Sequence, residues 1–259
     1  MISGLRKHRP DDPYILQPKP RRFPGRRKAM TIGIGFLCND GVVLCSDRQI
    51  TGPSGFKYEE GKIFSSQARD HQLIFSYAGV PDAAKVVFQG VTNSIPAIVS
   101  ESNILSYIET SKAILAKAYG CKQSKGLQSF IGLRVKGFPP FLLKTYNDTI
   151  VEAFAGESIG VGDSSALRYL SQFLIPNDAL SVAEAQVLAS YLVFVANRYI
   201  DGCSGGPDHR TINMDGSLTS GTGGIFPNEK DRFSHCEDQI GKAFRDMLFS
   251  GGTKTIVTR

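Results

Sequence analysis

The sequence predicts a layered α+β fold with helices on both faces of a two-sheet core. Apolar segments typical of strands occur in clusters, and each of the first two clusters is followed by a pair of segments with helical periodicity. Clustered strands and helices favour separate layers over the regular alternation of a parallel sheet. Hydrophobic residues make up 41% of the 259-residue chain, enough for a sizeable core. We therefore expect one domain over residues 31–259, preceded by an extension at residues 1–30.

The domain opens with a predicted β-hairpin. Apolar and β-branched residues at 31–37 and 42–46 flank Asp40-Gly41, a dipeptide that favours a tight turn. With Asp40-Gly41 at the turn, Asp47 is expected opposite about residue 34. Asp47 would then lie roughly 10 Å along the strand from Thr31.

The next elements are a loop, two strands and two helices. Residues 51–61 are polar and glycine-containing, which predicts a loop, and strands are predicted at 62–66 and 72–77. Pro81 suits the first turn of a helix, and Pro96 is expected to separate or kink two helical segments.

The second half repeats this order. Ser181 and Glu184 form a predicted capping box, in which each side chain satisfies a free backbone N–H at the start of a helix. The loop at 201–207 is rich in glycine. The pattern predicts strands at 130–135, 141–146, 150–154 and near 210–214, and helices at about 164–174, 182–199 and 229–249.

Residues 1–30 differ from the rest in charge. They hold nine Lys or Arg and two Asp, which leaves 21 basic and 22 acidic residues for a nearly neutral domain. Such an extension could bind nucleic acid, but its five prolines break helix and sheet, and we favour an unstructured extension over a nucleic-acid-binding arm. It is expected to be a propeptide, or not to be made at all if Met30 is the true start and is removed before Thr31.

Several classes of protein are disfavoured by composition. No apolar run approaches the roughly 20 residues of a membrane span, and no secretory signal is visible. The five cysteines form no CxxC pair, which favours reduced thiols inside a cell, and the four histidines lack metal-ligand spacing. We expect a cytoplasmic protein without a membrane segment.

Thr31 is the first candidate for chemistry. If the chain began there, one residue would carry both a hydroxyl nucleophile and an α-amine base. Lys62 starts a predicted strand and could bridge Thr31 and Asp47, although a plain ion pair at a sheet end would leave the same charge spacing. Asp201 and Ser204 could equally shape a glycine turn by bonding to nearby backbone.

Together these segments resemble the mature proteasome β-subunit family of N-terminal nucleophile hydrolases. The resemblance covers about residues 31–215. Its landmarks are Thr31, the hairpin Asp40–Leu44, Asp47-Arg48, Lys62–Phe64, Tyr77-Ala78-Gly79, Ser158–Gly162 and Asp201–Gly206. Val161 stands where the family turn usually has serine, and Met30 stands where its autoprocessing prefers glycine.

The resemblance implies a four-layer αββα sandwich and a threonine-type peptidase. It implies hydrolysis of a peptide or unfolded protein through an acyl-enzyme, a homo-oligomeric ring, and a possible ATP-dependent unfoldase as partner. It implies no metal and no cofactor. The implied roles are nucleophile for Thr31, control of the amine's pKa for Lys62, support of that lysine for Asp47, orientation of the amine for Asp201 and Ser204, and oxyanion binding by the Gly79 N–H.

The resemblance also implies a specificity pocket lined by Ile50 and Tyr77. Neither side chain is charged, so small or medium apolar residues are expected before the cleaved bond, unless Glu60 reaches the pocket and selects a basic residue.

Two other functions remain open: a small-molecule amidase on the same fold, and a non-catalytic ring subunit with Thr31 blocked. Lys62→Ala is expected to abolish turnover while the protein still folds.

Overall fold

The structure, a computed structural model, describes residues 31–52, 56–99, 103–120, 126–146, 149–153, 156–160, 174, 180–200, 203–222 and 228–249. These residues form antiparallel sheets and four helices, which confirms the mixed α and β content. The strands are β1 Ile32–Cys38, β2 Gly41–Ser46, β3 Gln49–Thr51, β4 Lys57–Glu59, β5 Ile63–Gln67, β6 His71–Ala78, β7 Gln128–Val135, β8 Phe141–Tyr146, β9 Thr149–Glu152, β10 Glu157–Gly160, β11 Asp208–Asn213 and β12 Leu218–Thr222. The helices are α1 Pro81–Val99, α2 Ile104–Tyr119, α3 Val182–Tyr199 and α4 Glu229–Phe249.

Two five-stranded sheets form the centre of the described residues. The first has the order β10-β1-β2-β11-β12 and the second the order β5-β6-β7-β8-β9. Apolar residues between the sheets include Leu44, Ile74 and Phe130. Burial of this apolar surface on both faces of each sheet is the main stabilising contribution to the fold.

Helices cover the outer face of each sheet. Alternation along β1 sends Ile34 to the side of α3, where it packs in one cluster with Ala189 and Val193. The second sheet packs against α1 and α2 in the same way. That cluster contains Leu73, Phe75, Val87, Val91, Tyr107, Leu115 and Leu133. None of the helices in the described residues has the length and apolar character needed to cross a membrane.

The hairpin register differs from the sequence prediction. Cys38 pairs with Gly41, so the turn is Asn39-Asp40, and Asp47 lies opposite Ile32 instead of residue 34. The turn shifts because Asp40 Oδ1 accepts a hydrogen bond of 2.7 Å from the N–H of Val182, the first residue of α3. Gly41 lies in the strand, where its lack of a Cβ permits the close approach of the Ile212 carbonyl oxygen in the neighbouring β11.

Four more strands were missed. The short pair β3 and β4 lies just before and within the predicted loop at 51–61, and β10 and β12 are too polar or too glycine-rich to stand out. The helix predicted at 164–174 lies outside the described residues apart from position 174. The predicted capping box is present: Ser181 Oγ accepts from the Glu184 N–H, and the Glu184 carboxylate accepts from the Ser181 N–H.

His209 in β11 is a buried, uncharged group that should make folding depend on pH. Its Nε2 lies 2.8 Å from Ser190 Oγ, and its Nδ1 has no hydrogen-bond partner among the residues that the structure describes. Burial, helped by the charge of Arg210, lowers the pKa of His209 from 6.5 to about 4. Between these two values the unfolded chain binds the proton and the folded chain does not, so stability falls as pH falls through this window.

We expect a loss of about 3 kcal/mol at most from His209 between pH 6.5 and 4, since each pKa unit corresponds to about 1.4 kcal/mol. Urea unfolding at several pH values in this range measures it. His209→Gln should flatten the dependence, because glutamine does not titrate. A variant that loses stability with the same slope as the parent would assign the effect to other groups.

Candidate active site

Thr31, Lys62 and Asp47 form one hydrogen-bonded chain. Lys62 Nζ donates to Thr31 Oγ1 at 3.1 Å and to Asp47 Oδ1 at 2.8 Å. Thr31 is 4% exposed, Lys62 1% and Asp47 0%. An ion pair so removed from water differs from the surface pairs that contribute little, because its charges interact strongly and lack competing solvent. The structure thus brings together three of the residues selected from the sequence.

The two sheets position these side chains from opposite sides. Thr31 precedes β1 and Asp47 follows β2, so the hairpin register places them one residue apart across the ladder. The Ile32 N–H donates to Asp47 Oδ1 at 3.0 Å, and the Asp47 N–H donates to the Ile32 carbonyl. Lys62 precedes β5 in the second sheet and reaches across to both. The corrected register brings Asp47 closer to Thr31 than predicted, yet Lys62 still lies between their oxygens.

Burial sets the proton affinities of this pair. Burial lowers the pKa of Lys62, and the Asp47 carboxylate acts in the opposite direction. Burial likewise raises the pKa of Asp47, opposed by the Lys62 ammonium and by its hydrogen bonds. A lysine with a lowered pKa holds its proton less tightly than an exposed one.

The loop that contains Ser204 meets the site through Gln49. Ser204 Oγ donates to Gln49 Oε1, and the Gln49 N–H donates to the Ser204 carbonyl at 3.1 Å. Ser204 therefore anchors the segment just after Asp47, and the structure gives it no hydrogen bond to Thr31. Asp201 lies outside the described residues. Gln49 was missed because a glutamine in a polar stretch carries no distinctive sequence signal.

Cys203 is a second neighbour that the sequence did not indicate. Its thiol interacts electrostatically with both Lys62 and Asp47. Burial, reinforced by the charge of Asp47, raises the pKa of this thiol to about 12. Cys203 is therefore a neutral thiol at physiological pH and a weak nucleophile, because the thiolate is the reactive form.

Gly160 lies against Thr31, and Gly79 follows Ala78, which Gly160 also approaches. Gly79, the predicted oxyanion donor, has φ +137°, a conformation essentially restricted to glycine, and a Cβ there would lie 3.2 Å from Leu127. Gly160 has φ +72°, and a Cβ on it would collide with the Thr31 carbonyl oxygen and lie 2.9 Å from the Ala78 Cβ. Gly160 thus brings the β10 backbone against Thr31 and against the residue preceding Gly79. Val161 lies outside the described residues.

The predicted specificity residues occupy different environments. Ile50 is buried in β3, where it pairs with Tyr58. Tyr77 is 1% exposed, and its ring stacks on Phe64 with centroids 5.4 Å apart in the core beside α1. Burial raises the pKa of Tyr77, and the charge of Glu60 adds to this effect. Glu60 therefore lies within electrostatic reach of Tyr77, and the pocket assignment stays a prediction.

No group of three or more His, Cys, Asp or Glu side chains in the described part of the chain is arranged to hold a metal ion. The polar groups of the site that the structure describes are the Thr31 hydroxyl, the Lys62 amine and the Asp47 carboxylate. Such a set can activate a nucleophile and stabilise developing negative charge.

Comparisons with known proteins show which solved structures share this fold. No family model matches the chain, and no curated protein matches it. Solved structures do match. Anbu from Hyphomicrobium sp. strain MC1 has a TM-score of 0.68 and 15% identity, with 82% of this chain and 96% of that chain covered. Anbu, described as an ancestral beta-subunit, from Yersinia bercovieri has a TM-score of 0.65 and 13% identity, with coverages of 88% and 100%. The Anbu complex from Pseudomonas aeruginosa, described as a helical assembly, has a TM-score of 0.60 and 15% identity, with coverages of 88% and 100%.

These matches correct the family predicted from the sequence. Assignment to the proteasome β-subunit family was wrong: the structural likeness is to Anbu proteins, described as ancestral beta-subunits, and no family model supports the assignment. The error has a physical reason. A threonine, an acid and a lysine on three strand ends are features of a fold and its site, and they do not distinguish among families that share that fold. At 13–15% identity the likeness establishes the fold alone.

Proposed function

We propose that this protein is a threonine-type amide hydrolase in which Thr31, as the N-terminal residue, attacks a peptide bond. The observation that carries the proposal is the hydrogen bond of 3.1 Å from the buried Lys62 ammonium to Thr31 Oγ1. A threonine just before a strand has no structural need for a buried lysine beside its hydroxyl. Burying that charge is costly unless it is paired, and Asp47 supplies the pair.

The reaction requires Thr31 to be the first residue, because only then is its α-amine free to act as the base. The free α-amine of Thr31 takes the hydroxyl proton, and Oγ1 attacks the amide carbonyl carbon. An α-amine has an ordinary pKa of about 8, and the neighbouring ammonium lowers that pKa, so the amine is available as a base near neutral pH. Lys62 also stabilises negative charge on Oγ1 as the proton leaves.

The remaining steps resolve the tetrahedral intermediate. The Gly79 N–H is proposed to stabilise the oxyanion, and the amine-bound proton passes to the leaving nitrogen as the carbon–nitrogen bond breaks. This leaves an ester between the acyl group and Oγ1. Water, deprotonated by the α-amine, then attacks the ester, releases the carboxylic acid and restores the hydroxyl.

The substrate class is a separate part of the proposal. We propose a peptide or unfolded protein, processed in the cytoplasm by a homo-oligomer, since the matched Pseudomonas aeruginosa Anbu is described as an assembled complex. The four-layer sandwich of N-terminal hydrolases is the matching fold proposal, supported by outer helices on two facing sheets. An ATP-dependent unfoldase would deliver the unfolded chains.

The first test is the N-terminus of active protein. Intact mass and Edman sequencing are expected to return Thr31 as the first residue, because the base in this mechanism is an α-amine. Turnover of fluorogenic peptides and of small amides is measured on the same sample. Active protein that begins at Met1 or Met30 would contradict the proposal. A chain with Thr31 blocked and without turnover would favour a non-catalytic subunit, and turnover restricted to small amides would favour the small-molecule amidase.

A further inference from the structure

One side chain connects the two sheets at the end where Thr31 lies. Gln128 is the first residue of β7 and pairs with Ala78, the last residue of β6 and the neighbour of Gly79. Its Oε1 accepts a hydrogen bond of 2.6 Å from the N–H of Gly160, the last residue of β10 in the other sheet. Gln128 thus joins the strand pair that leads to Gly79 to the strand that pairs with β1.

Gly160 transmits this connection to the nucleophile. It pairs with Ile32, and its Cα lies so close to the Thr31 carbonyl oxygen that a Cβ would collide with it. The same Cβ would lie 2.9 Å from the Ala78 Cβ. With no side chain of its own, Gly160 is held between Thr31 and Ala78 by backbone contacts and by the hydrogen bond to Gln128.

The separation between nucleophile and oxyanion donor depends on such a connection. Thr31 belongs to the first sheet and Gly79 follows a strand of the second, so no single ladder of backbone hydrogen bonds fixes the distance between them. Apolar packing between sheets is non-directional and allows small sliding movements. Amide hydrolysis needs both groups aligned on one carbonyl, and a displacement of about 1 Å can cost roughly a hundredfold in rate.

We propose that Gln128 is a positioning residue for the hydrolysis proposed above, on which this inference rests. Its amide oxygen holds Gly160 in place, and Gly160 in turn fixes Thr31 relative to Gly79. The role is specific to the acceptor oxygen of the side chain, so it distinguishes glutamine from an apolar residue of similar length.

Gln128→Met tests this role, because methionine has nearly the same length and lacks the strong acceptor. It is expected to lower kcat by about tenfold to a hundredfold with KM nearly unchanged, since transition-state alignment is lost and substrate contacts remain. Gln128→Glu keeps an acceptor at the same length and should recover part of that loss. Gln72→Met is the matched control. Gln72 lies at the opposite end of the same strand pair, where its Oε1 accepts from Arg134 Nη1 at 3.1 Å, and kcat should not change.

Hydrogen exchange of the Gly160 amide, resolved by fragmentation mass spectrometry, gives a readout independent of activity. Exchange should be faster in Gln128→Met and near the parent rate in Gln128→Glu. Faster exchange with unchanged kcat would make Gln128 purely structural and overturn the proposal, as would an equal fall in kcat for Gln72→Met. A parent protein without turnover would instead refute the proposed function and this inference with it. An active parent with an unaffected Gln128→Met refutes the positioning role alone.

Discussion

Removing the Lys62 ammonium is expected to reduce amide hydrolysis by about a thousandfold or more, since the loss of a single charge-stabilising donor already costs about a hundredfold to a thousandfold. Lys62 Nζ contacts Thr31 Oγ1 directly, so its loss removes the cation that favours a neutral α-amine and a developing oxyanion on the hydroxyl. Steady-state kinetics on a fluorogenic peptide measure the change in kcat/KM.

Burial changes how this variant must be built. Asp47 is 0% exposed, and Lys62→Ala would leave its carboxylate buried and unpaired, at a cost of about 3–5 kcal/mol. Lys62→Ala is therefore not expected to leave the fold intact, contrary to the prediction from the sequence. A different variant is needed to test the role of Lys62 in turnover. Lys62→Met combined with Asp47→Asn removes both charges, and asparagine can still accept the hydrogen bond from the Ile32 N–H.

The double variant is expected to fold with a thermal midpoint near that of the parent and to show no turnover. Lys112→Met is the matched control, since Lys112 forms an ion pair of 2.7 Å with Glu152 on the partly exposed face of α2. Its loss should change stability by less than about 1 kcal/mol and leave kcat/KM unchanged. Near-parental activity in the folded double variant would show that Lys62 and Asp47 form only a structural ion pair.

The fold was predictable where burial and sequence period agree. The β1–β2 hairpin was predictable because a turn dipeptide lies between two apolar runs. The helices α3 and α4 were predictable from their long helical periodicity, and their bounds match the prediction. The register of the hairpin was not predictable from local sequence. It depends on the hydrogen bond from the Val182 N–H to Asp40, a contact between residues far apart in the chain. Short strands such as β3 and β10 form because they pair with neighbouring strands, and their own residues carry no strand signal.

The candidate site likewise contains residues that could be predicted from the sequence and residues that could not. Thr31, Asp47 and Lys62 could be selected from the sequence because reactive residue types stand at strand ends, and the structure joins all three. Ser204 was placed beside the amine, yet its hydroxyl contacts Gln49. Gln128 carries no signal at all, because its importance comes from a backbone N–H contributed by a different sheet. Sequence motifs identify reacting groups, whereas the residues that hold them are defined by long-range packing.

Thr31→Val is expected to abolish turnover, and Thr31→Ser to retain it within about tenfold, because serine supplies the same hydroxyl and α-amine. Valine matches threonine in shape and preserves the β-branched residue before β1, so it removes the nucleophile with little change in packing. The lost hydroxyl leaves Lys62 with its bond to Asp47, which keeps the buried ammonium paired. Both variants are purified with residue 31 at the N-terminus, and kcat/KM is measured on the same peptide.

A covalent probe separates loss of the nucleophile from loss of structure. A peptide β-lactone should add its mass to residue 31 of the parent and of Thr31→Ser, and should not label Thr31→Val. Thr211→Val is the matched control: Thr211 is fully buried in β11, and its Oγ1 accepts from Gln186 Nε2 at 3.0 Å. It removes an equally buried, hydrogen-bonded hydroxyl from the same sheet and should leave labelling and turnover intact. Turnover that persists in Thr31→Val would move the nucleophile elsewhere, and loss of turnover in both Val variants would mean that hydrolysis reports on packing of the sheet and not on the Thr31 hydroxyl.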